Sequence, residues 1–529
     1  MYNNFTKIIL YFLSMSVRQT SIKIFSAIKS KSAQSLRSVA NKIDQPKSTV
    51  HRHHIKQQER IQTVGHDFFE TESGNEFLKQ LLLAVVFIFG IQAGVGAETI
   101  SLFFTTMALH TYLAVSASSI RKQKNNVRGM INQYGDEQMR EVYQRSKNLE
   151  LHLGGDETFG SDKLYLVLSD LPSNFIFEEI LTDSRSFESW RNNLKGFLSL
   201  HSKNIKSLGT DGAKALKKLG SYIGCPHIMD LFHGMNDLKK HFSTKFHSMK
   251  QSIMKKIRNV EQDETLNSDE KSLLIKEHQA KIQQIDGGQQ LYRKSQFMMS
   301  TTVHPFKEVN KVQTSFDLEL QITETHAKLT HMSQSLGFKD KAKLLNRFEG
   351  RIKGMSILND HWHQWVNTSA AEIDSDQQAQ QWAKEILLPL VYWENQLGKS
   401  KKKKSLRDHY KEQIILAKKS FDESPGTQIY MDEDWINWAK RMARKYQRTT
   451  SAIEGRNAQL SSYHWSSRGA RLAHSKSQTI LHNFWIKRVD GSTACHRLCD
   501  YDPPDLFQWL MDKSPDIPMP RAYKSKIAA

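Results

Sequence analysis

The chain has 529 residues, 39% of them hydrophobic, with 75 Lys and Arg against 55 Asp and Glu and a formal net charge of +20. That apolar content excludes a globally disordered chain, and the length calls for about two to four domains. The charge favours a polyanionic partner, nucleic acid or an anionic membrane, and three cysteines exclude a disulfide framework and fit a reducing compartment.

Residues 1–30 read as a poorly ordered N-terminal segment. The apolar stretch 8–13 behind Lys7 is short and lacks the small-residue cleavage site of a secretory signal. Translation from Met15 instead of Met1 is an equal reading. Residues 31–130 read as a helical DNA-binding region. Residues 35–42 carry apolar side chains at helical spacing, and Ile43-Asp44-Gln45-Pro46 makes a turn whose proline can open a second helix. Short helix, turn and basic helix outline a helix-turn-helix. Its second helix would present Lys47, Ser48, Thr49, His51 and Arg52 to a major groove; the alternative is a pair of solvated surface helices. The most hydrophobic run, Leu81 to Ile91, falls short of the roughly 20 residues of a bilayer span and reads as a buried helix. A helix from Ala97 to Met107 follows, then one opened by Ser116 with Lys122, Lys124 and Arg128 beyond. Helical core and DNA contact are equal readings there.

Near Leu149 the hydrophobic period shortens. Residues 149–153, 164–168 and 175–181 read as strands, 185–200 as an amphipathic helix, 205–208 as a strand into Asp211, 212–219 as a helix, and 227–229 as a strand before a helix opened by His233. That order predicts an α/β layered domain with a mixed sheet, its first part at 147–240. Residues 241–445 read as one all-helical insertion, with Trp362, Trp365, Trp382, Trp393, Trp435 and Trp438 as core and Lys401 to Lys404 as an exposed charge run. Residues 446–529 would return to the core and end in C-terminal helices. Cys495-His496-Arg497-Leu498-Cys499 lacks the second ligand pair of a zinc site, so no zinc is expected, nor any nucleotide cofactor.

Three acids stand in distinctive settings: Asp156 in Gly-Gly-Asp-Glu-Thr, Asp211 in Gly-Thr-Asp-Gly-Ala-Lys, and Glu454 in Ser-Ala-Ile-Glu-Gly-Arg-Asn. The first ends an alternating run, the second follows a short strand, and the third lies on a helical run with Asn457 near it on the same face. Each alone would be a surface or capping carboxylate. Hard oxygen ligands suit Mg²⁺ or Mn²⁺, and a pair of such ions clamps both oxygens of an in-line phosphoryl displacement.

These motifs, with Cys225-Pro226-His227-Ile228-Met229-Asp230-Leu231-Phe232-His233, Ile480-Leu481-His482-Asn483-Phe484 and Asp505-Leu506-Phe507-Gln508-Trp509-Leu510, resemble those of the DDE transposases. Mutator-type elements and a bacterial group with a transposase-like domain are most similar, over roughly Leu149 to the C-terminus. The resemblance implies an α/β ribonuclease H-like catalytic core with a mixed sheet, interrupted by a large all-α insertion, plus an N-terminal all-α helix-turn-helix region. It implies Asp156, Asp211 and Glu454 as the ligands of a two-metal Mg²⁺ or Mn²⁺ site. Asp230 and His233 would orient the site or the DNA strand, or else be a helix cap and a satisfied buried histidine; Arg456 and Asn457 would assist. The implied activity is hydrolysis and strand transfer at element ends. The implied partners are terminal inverted repeats, target DNA and further copies of the chain, with no membrane, in a bacterial cytoplasm at the nucleoid. A catalytically silent DNA-binding protein derived from a transposase is the alternative, and a helical scaffold is disfavoured by the strand-rich segment. The acids should then converge, Asp156 and Asp211 at adjacent strand ends and Glu454 on a helix against the sheet, with the insertion leaving and returning close by.

Overall fold

The structure, a computed structural model, describes residues 17–30, 35–159, 163–308, 311–400, 403–466, 472–515 and 518. Residues 1–16, with the apolar stretch and Met15, and Lys401 and Lys402 lie outside the described residues. The described residues are mostly helical, with a five-stranded mixed sheet and a two-stranded hairpin. The chain divides into two compact units, residues 1–144 with 462–529, and residues 145–461. The segment 446–529, expected as one piece, thus divides between them.

In the first unit, α1 (Val17–Lys29), α2 (Leu36–Lys42) and α3 (Lys47–Arg60) share a core of Ile24, Ala27, Val39, Ala40 and Val50. Ser35 caps α2 by accepting the Ser38 N–H. Asp44, at φ +51°, turns the chain, and Pro46 precedes α3 with its φ already near helical. The apolar run lies in α4 (Glu72–Gln92), a 21-residue helix long and apolar enough to cross a membrane. Half of its most apolar window is nevertheless buried inside the structure. Leu78, Leu82, Val86, Phe87 and Ile91 face inward, whereas Ile88 and Phe89 are exposed.

In the second unit, β1 (Leu151–Phe159), β2 (Leu164–Asp170), β3 (Phe175–Thr182), β4 (Ile205–Thr210) and β5 (His227–Met229) form a sheet in the order β3-β2-β1-β4-β5. The β1–β2 and β2–β3 pairs are antiparallel, and β1–β4 and β4–β5 are parallel. All five strands fall where the hydrophobic pattern put them. β1 runs further than expected, however, because Gly154 and Gly155 do not end it: they pair with Ser169 and Leu168 and carry the strand through Asp156 to Phe159. Between and after the strands come α5 (Phe187–Asn193), α6 (Lys214–Ile223), α7 (Leu231–Gln262) and α8 (Ser268–Thr302).

With α7 the chain enters a helical block that ends at Lys445. The helices have two cores. Leu238, Phe242, Phe246, Ile285 and Tyr292 fill one; the other holds all six expected tryptophans. A short hairpin, Phe306–Glu308 with Lys311–Val312, interrupts the helices and is too short to show a sequence period. The ends of the block meet: the Leu231 N–H donates to the Arg448 carbonyl at 3.0 Å. The chain then continues into α9 (Ser451–Ser466).

Candidate active site

Missing side chains on β1 let helices approach both of its faces. A Cβ on Gly154 would stand 2.4 Å from Ile453 Cδ1 of α9 and 2.5 Å from Leu171 Cδ2, so the glycine leaves room for both side chains over the strand. One helical turn on, Asn457 Nδ2 donates to Asp156 Oδ2 at 2.7 Å. A turn further, Ser461 Oγ lies 3.4 Å from Thr158 Oγ1. Four helical residues rise about 6.0 Å and two strand residues about 6.6 Å, so this pairing stays in step. Alternation turns Gly155 to the opposite face, where a Cβ would lie 3.1 Å from Leu216 Cδ2 of α6. Asp156 therefore faces α9, and Glu157 faces the other way.

Asp211 comes off β4 beside Asp156. Gly154 pairs with Gly209 in the parallel ladder, and each aspartate stands two residues beyond that pair. Gly212 then turns at φ +89°, where a Cβ would meet Met229 Cε at 2.3 Å. The Ala213 N–H donates to Asp211 Oδ1 at 2.8 Å. Thr210 Oγ1 steadies the turn, accepting the Gly212 N–H at 3.0 Å and lying 2.7 Å from His227 Nε2.

Glu454 comes from α9. Its Oε1 is 3.4 Å from His233 Nε2, and His233 Nδ1 is 2.6 Å from Asp230 Oδ2. Asp230 is buried and caps α7 through the Phe232 N–H at 2.9 Å. It also accepts the Thr450 N–H at 3.3 Å and the Thr450 hydroxyl at 3.1 Å. One carboxylate thus ties the start of α7, with His233, to the chain entering α9, with Glu454.

The electrostatics couple these groups. Burial, then the nearby charges of Glu454 and Asp211, pushes the Asp156 carboxyl up to about 7, against the Glu157 N–H bond and His233. The Asp230 hydrogen bond holds the His233 imidazole above its ordinary range, with Glu454 and Asp211 adding to it and burial opposing. Glu157 is also raised, by burial first, although Trp190 and Arg185 contact it.

Among the described residues, no group of three His, Cys, Asp or Glu side chains stands in closed metal-ligand geometry. The donor chemistry nonetheless fits a hard cation. Asp156, Asp211 and Glu454 supply carboxylate oxygens, and the buried Asn457 Oδ1, beside Asp156, has no hydrogen-bond partner. A divalent ion takes oxygen ligands of this kind and would substitute for the proton that the crowded carboxylates otherwise attract.

Arg456 has a different place from its neighbours. Its guanidinium forms a bidentate pair with Glu179 of β3, Nε–Oε2 2.8 Å and Nη2–Oε1 3.1 Å, both side chains 2% exposed. It clamps α9 to the sheet rather than facing the carboxylates. Glu179 and Thr450 were not singled out in the sequence; an acid inside the apolar run of β3 was the one signal that could have marked Glu179. In the other unit, Lys47, Ser48, His51 and Arg52 line the exposed side of α3, with Thr49 half-buried at its edge. His53 and Gln57 pack inward, and burial pushes His53 down to about 4.

Residues 383–526 match a family of unknown function (DUF6399). The match takes in Glu454, Arg456 and Asn457 and stops short of Asp156 and Asp211. No curated protein and no solved structure matches the chain.

Proposed function

We propose that this protein is a DDE-type DNA transposase with a ribonuclease H-like core, hydrolysing phosphodiesters at element ends and transferring the freed strands to target DNA. The observation that carries the reading is the placement of the three acids: Asp156 and Asp211 stand two residues beyond one paired position of adjacent parallel strands, and Glu454 lies one turn before Asn457, which bonds Asp156, on a helix reached across a long helical block. The mixed sheet, an antiparallel β1–β2–β3 meander continued by parallel strands, is of the kind such a core has. The exposed basic side of α3 and the net charge of +20 suit terminal repeats and target DNA as partners.

Bound at these carboxylates, Mg²⁺ or Mn²⁺ would activate the attacking water and stabilise the leaving oxygen. Asp156 and Asp211 hold the sheet side of the site, and Glu454 holds the helix side. Asn457 donates to one Asp156 oxygen and the Glu157 N–H to the other, so the carboxylate is held in place with a lone pair left on each oxygen for a cation. Asp230 fixes the His233 ring through Nδ1 and so aims Nε2 at Glu454, restraining that carboxylate.

The test is Mg²⁺- or Mn²⁺-dependent nicking of DNA carrying the sequences that flank the gene. Asp156→Asn, Asp211→Asn and Glu454→Gln should each lower nicking by at least about 100-fold, because each removes charge at the reacting phosphate. Folding and DNA binding should remain. Undiminished nicking by all three variants overturns the assignment. DNA binding by a wild-type protein that nicks with neither metal would put the catalytically silent reading in its place.

A further inference from the structure

The face of β1 turned away from α9 carries a second constellation. Phe159, on the same side of the strand as Glu157, is 61% exposed at the strand end. The Arg185 guanidinium lies over its ring at 5.6 Å and is steadied by Glu157 at 3.6 Å. Alongside, Phe187 of α5 and Tyr222 of α6 meet edge to face at 5.8 Å, Tyr222 being 58% exposed, and Arg191 covers the Phe187 ring at 5.9 Å. Two large rings exposed beside cations offer a nucleobase a stacking partner with positive charge at hand for its phosphate.

A basic stripe runs from this platform towards the carboxylates. Lys214, Lys217 and Lys218 point to solvent along α6, on the side that ends in Tyr222, and the helix contains no acid. Lys214 is three residues beyond Asp211 in the chain. Acidic neighbours exist on the adjoining segment: Asp183, near Lys163 at 3.7 Å, and the exposed Glu188. They leave α6 itself uniformly positive.

We infer that the outer face of α5 and α6, with Phe159 and Arg185, binds a single DNA strand and leads it to the carboxylates. Cations spaced along a helix track a phosphate backbone, and exposed rings stack bases of any sequence. A duplex keeps its bases within its own stack and offers no such face, so the occupant is an unpaired strand. The inference rests on the nuclease reading for its substrate, but its readout does not require cleavage.

The experiment is fluorescence anisotropy of the full chain with a labelled thymidine oligomer of about 15 nucleotides, in EDTA, beside a duplex of equal length. Phe159→Ala with Tyr222→Ala should weaken oligomer binding by at least about ten-fold and leave duplex binding within about three-fold. Phe159→Tyr with Tyr222→Phe should bind like wild type. Lys217→Glu with Lys218→Glu should flatten the slope of log affinity against log salt by about 0.7 for each phosphate no longer neutralised. The rings are mostly exposed, and an unchanged melting temperature confirms that the double alanine variant folds. Wild-type oligomer binding by that variant overturns the inference, as does an equal loss for duplex, or a response to the lysine changes alone. Ring-dependent binding by a protein that never nicks sinks the nuclease reading while the strand site stands; nicking with ring-independent binding does the reverse.

Discussion

A carboxyl pushed up to about 7, like that of Asp156, would give up its proton to a cation bound at the proposed site near neutrality. Metal uptake at this site should therefore release a proton and strengthen with pH, by up to about ten-fold per unit below 7, levelling off above it. Titration calorimetry of Mg²⁺ or Mn²⁺ in buffers of different ionisation enthalpy measures that proton directly, and uptake without release would exclude Asp156 as a ligand. The sign for stability follows from the same shift. The folded value lies above the unfolded one, so the stabilising contribution of the neutral form is complete at low pH and is lost as pH rises through about 7. Without metal at pH 8, Asp156→Asn should melt higher than wild type. At this scale the three acids were legible because each sits in a short, distinctive string. The partner of Arg456 was not, because Glu179 is 277 residues away and no local pattern links them.

At the scale of elements, α9 depends on what β1 lacks. Gly154→Val would drive a side chain into Ile453 and Leu171 and crowd the helix bearing Glu454 and Asn457. The expected cost is about 1–3 kcal/mol of stability from overpacking, with nicking lost out of proportion to it; wild-type nicking by a folded Val variant would show that the helix need not lie so close. The Arg456–Glu179 clamp makes a second test. Removing one partner strands a buried charge, at about 3–5 kcal/mol, whereas exchanging both for Met and Leu should recover much of the loss. Urea midpoints of the two single variants and the double variant decide it. Periodicity revealed the strands and long helices, since burial on one face imposes it over many residues. It did not reveal how far β1 runs, because glycines carry no hydrophobic signal and read as a break.

For the molecule as a whole, acid is the expected weakness. His152 and His304 are fully buried and pushed well below the ordinary imidazole range, and His53 and His227 are pushed down to about 4, in every case by burial first. Folded values below the unfolded one favour the neutral rings, so their stabilising contribution is present above about 6.5 and is lost as pH falls towards 4. His152 and His304 would each contribute on the order of 1.4 kcal/mol per pH unit in that window. Asp156, Glu157 and Asp170, whose carboxyls burial holds up, pull the other way; urea midpoints should still fall between pH 6.5 and 4.5, and a flat response would mean that these acids offset the rings. Whole-chain charge and the alternation of strand-rich and helix-rich stretches were plain from composition and period. The division that groups residues 462–529 with the N-terminal helices was not, since it depends on pairings between segments more than three hundred residues apart.

The pairing of α9 with β1, four helical residues to two of strand, behaves like a rack and pinion. Deleting a single residue between Ile453 and Asn457 would turn everything beyond it by about 100°, disengage Asn457 from Asp156 and leave the mesh wrong for every later tooth. The helical block is under no such constraint. Its two ends are tied to each other, by the Leu231–Arg448 hydrogen bond and by Asp230 with Thr450, so its length could drift by whole loops without rotating Glu454. Tolerance to insertions and deletions should therefore change abruptly at Thr450, generous before it and almost nil over the next dozen residues.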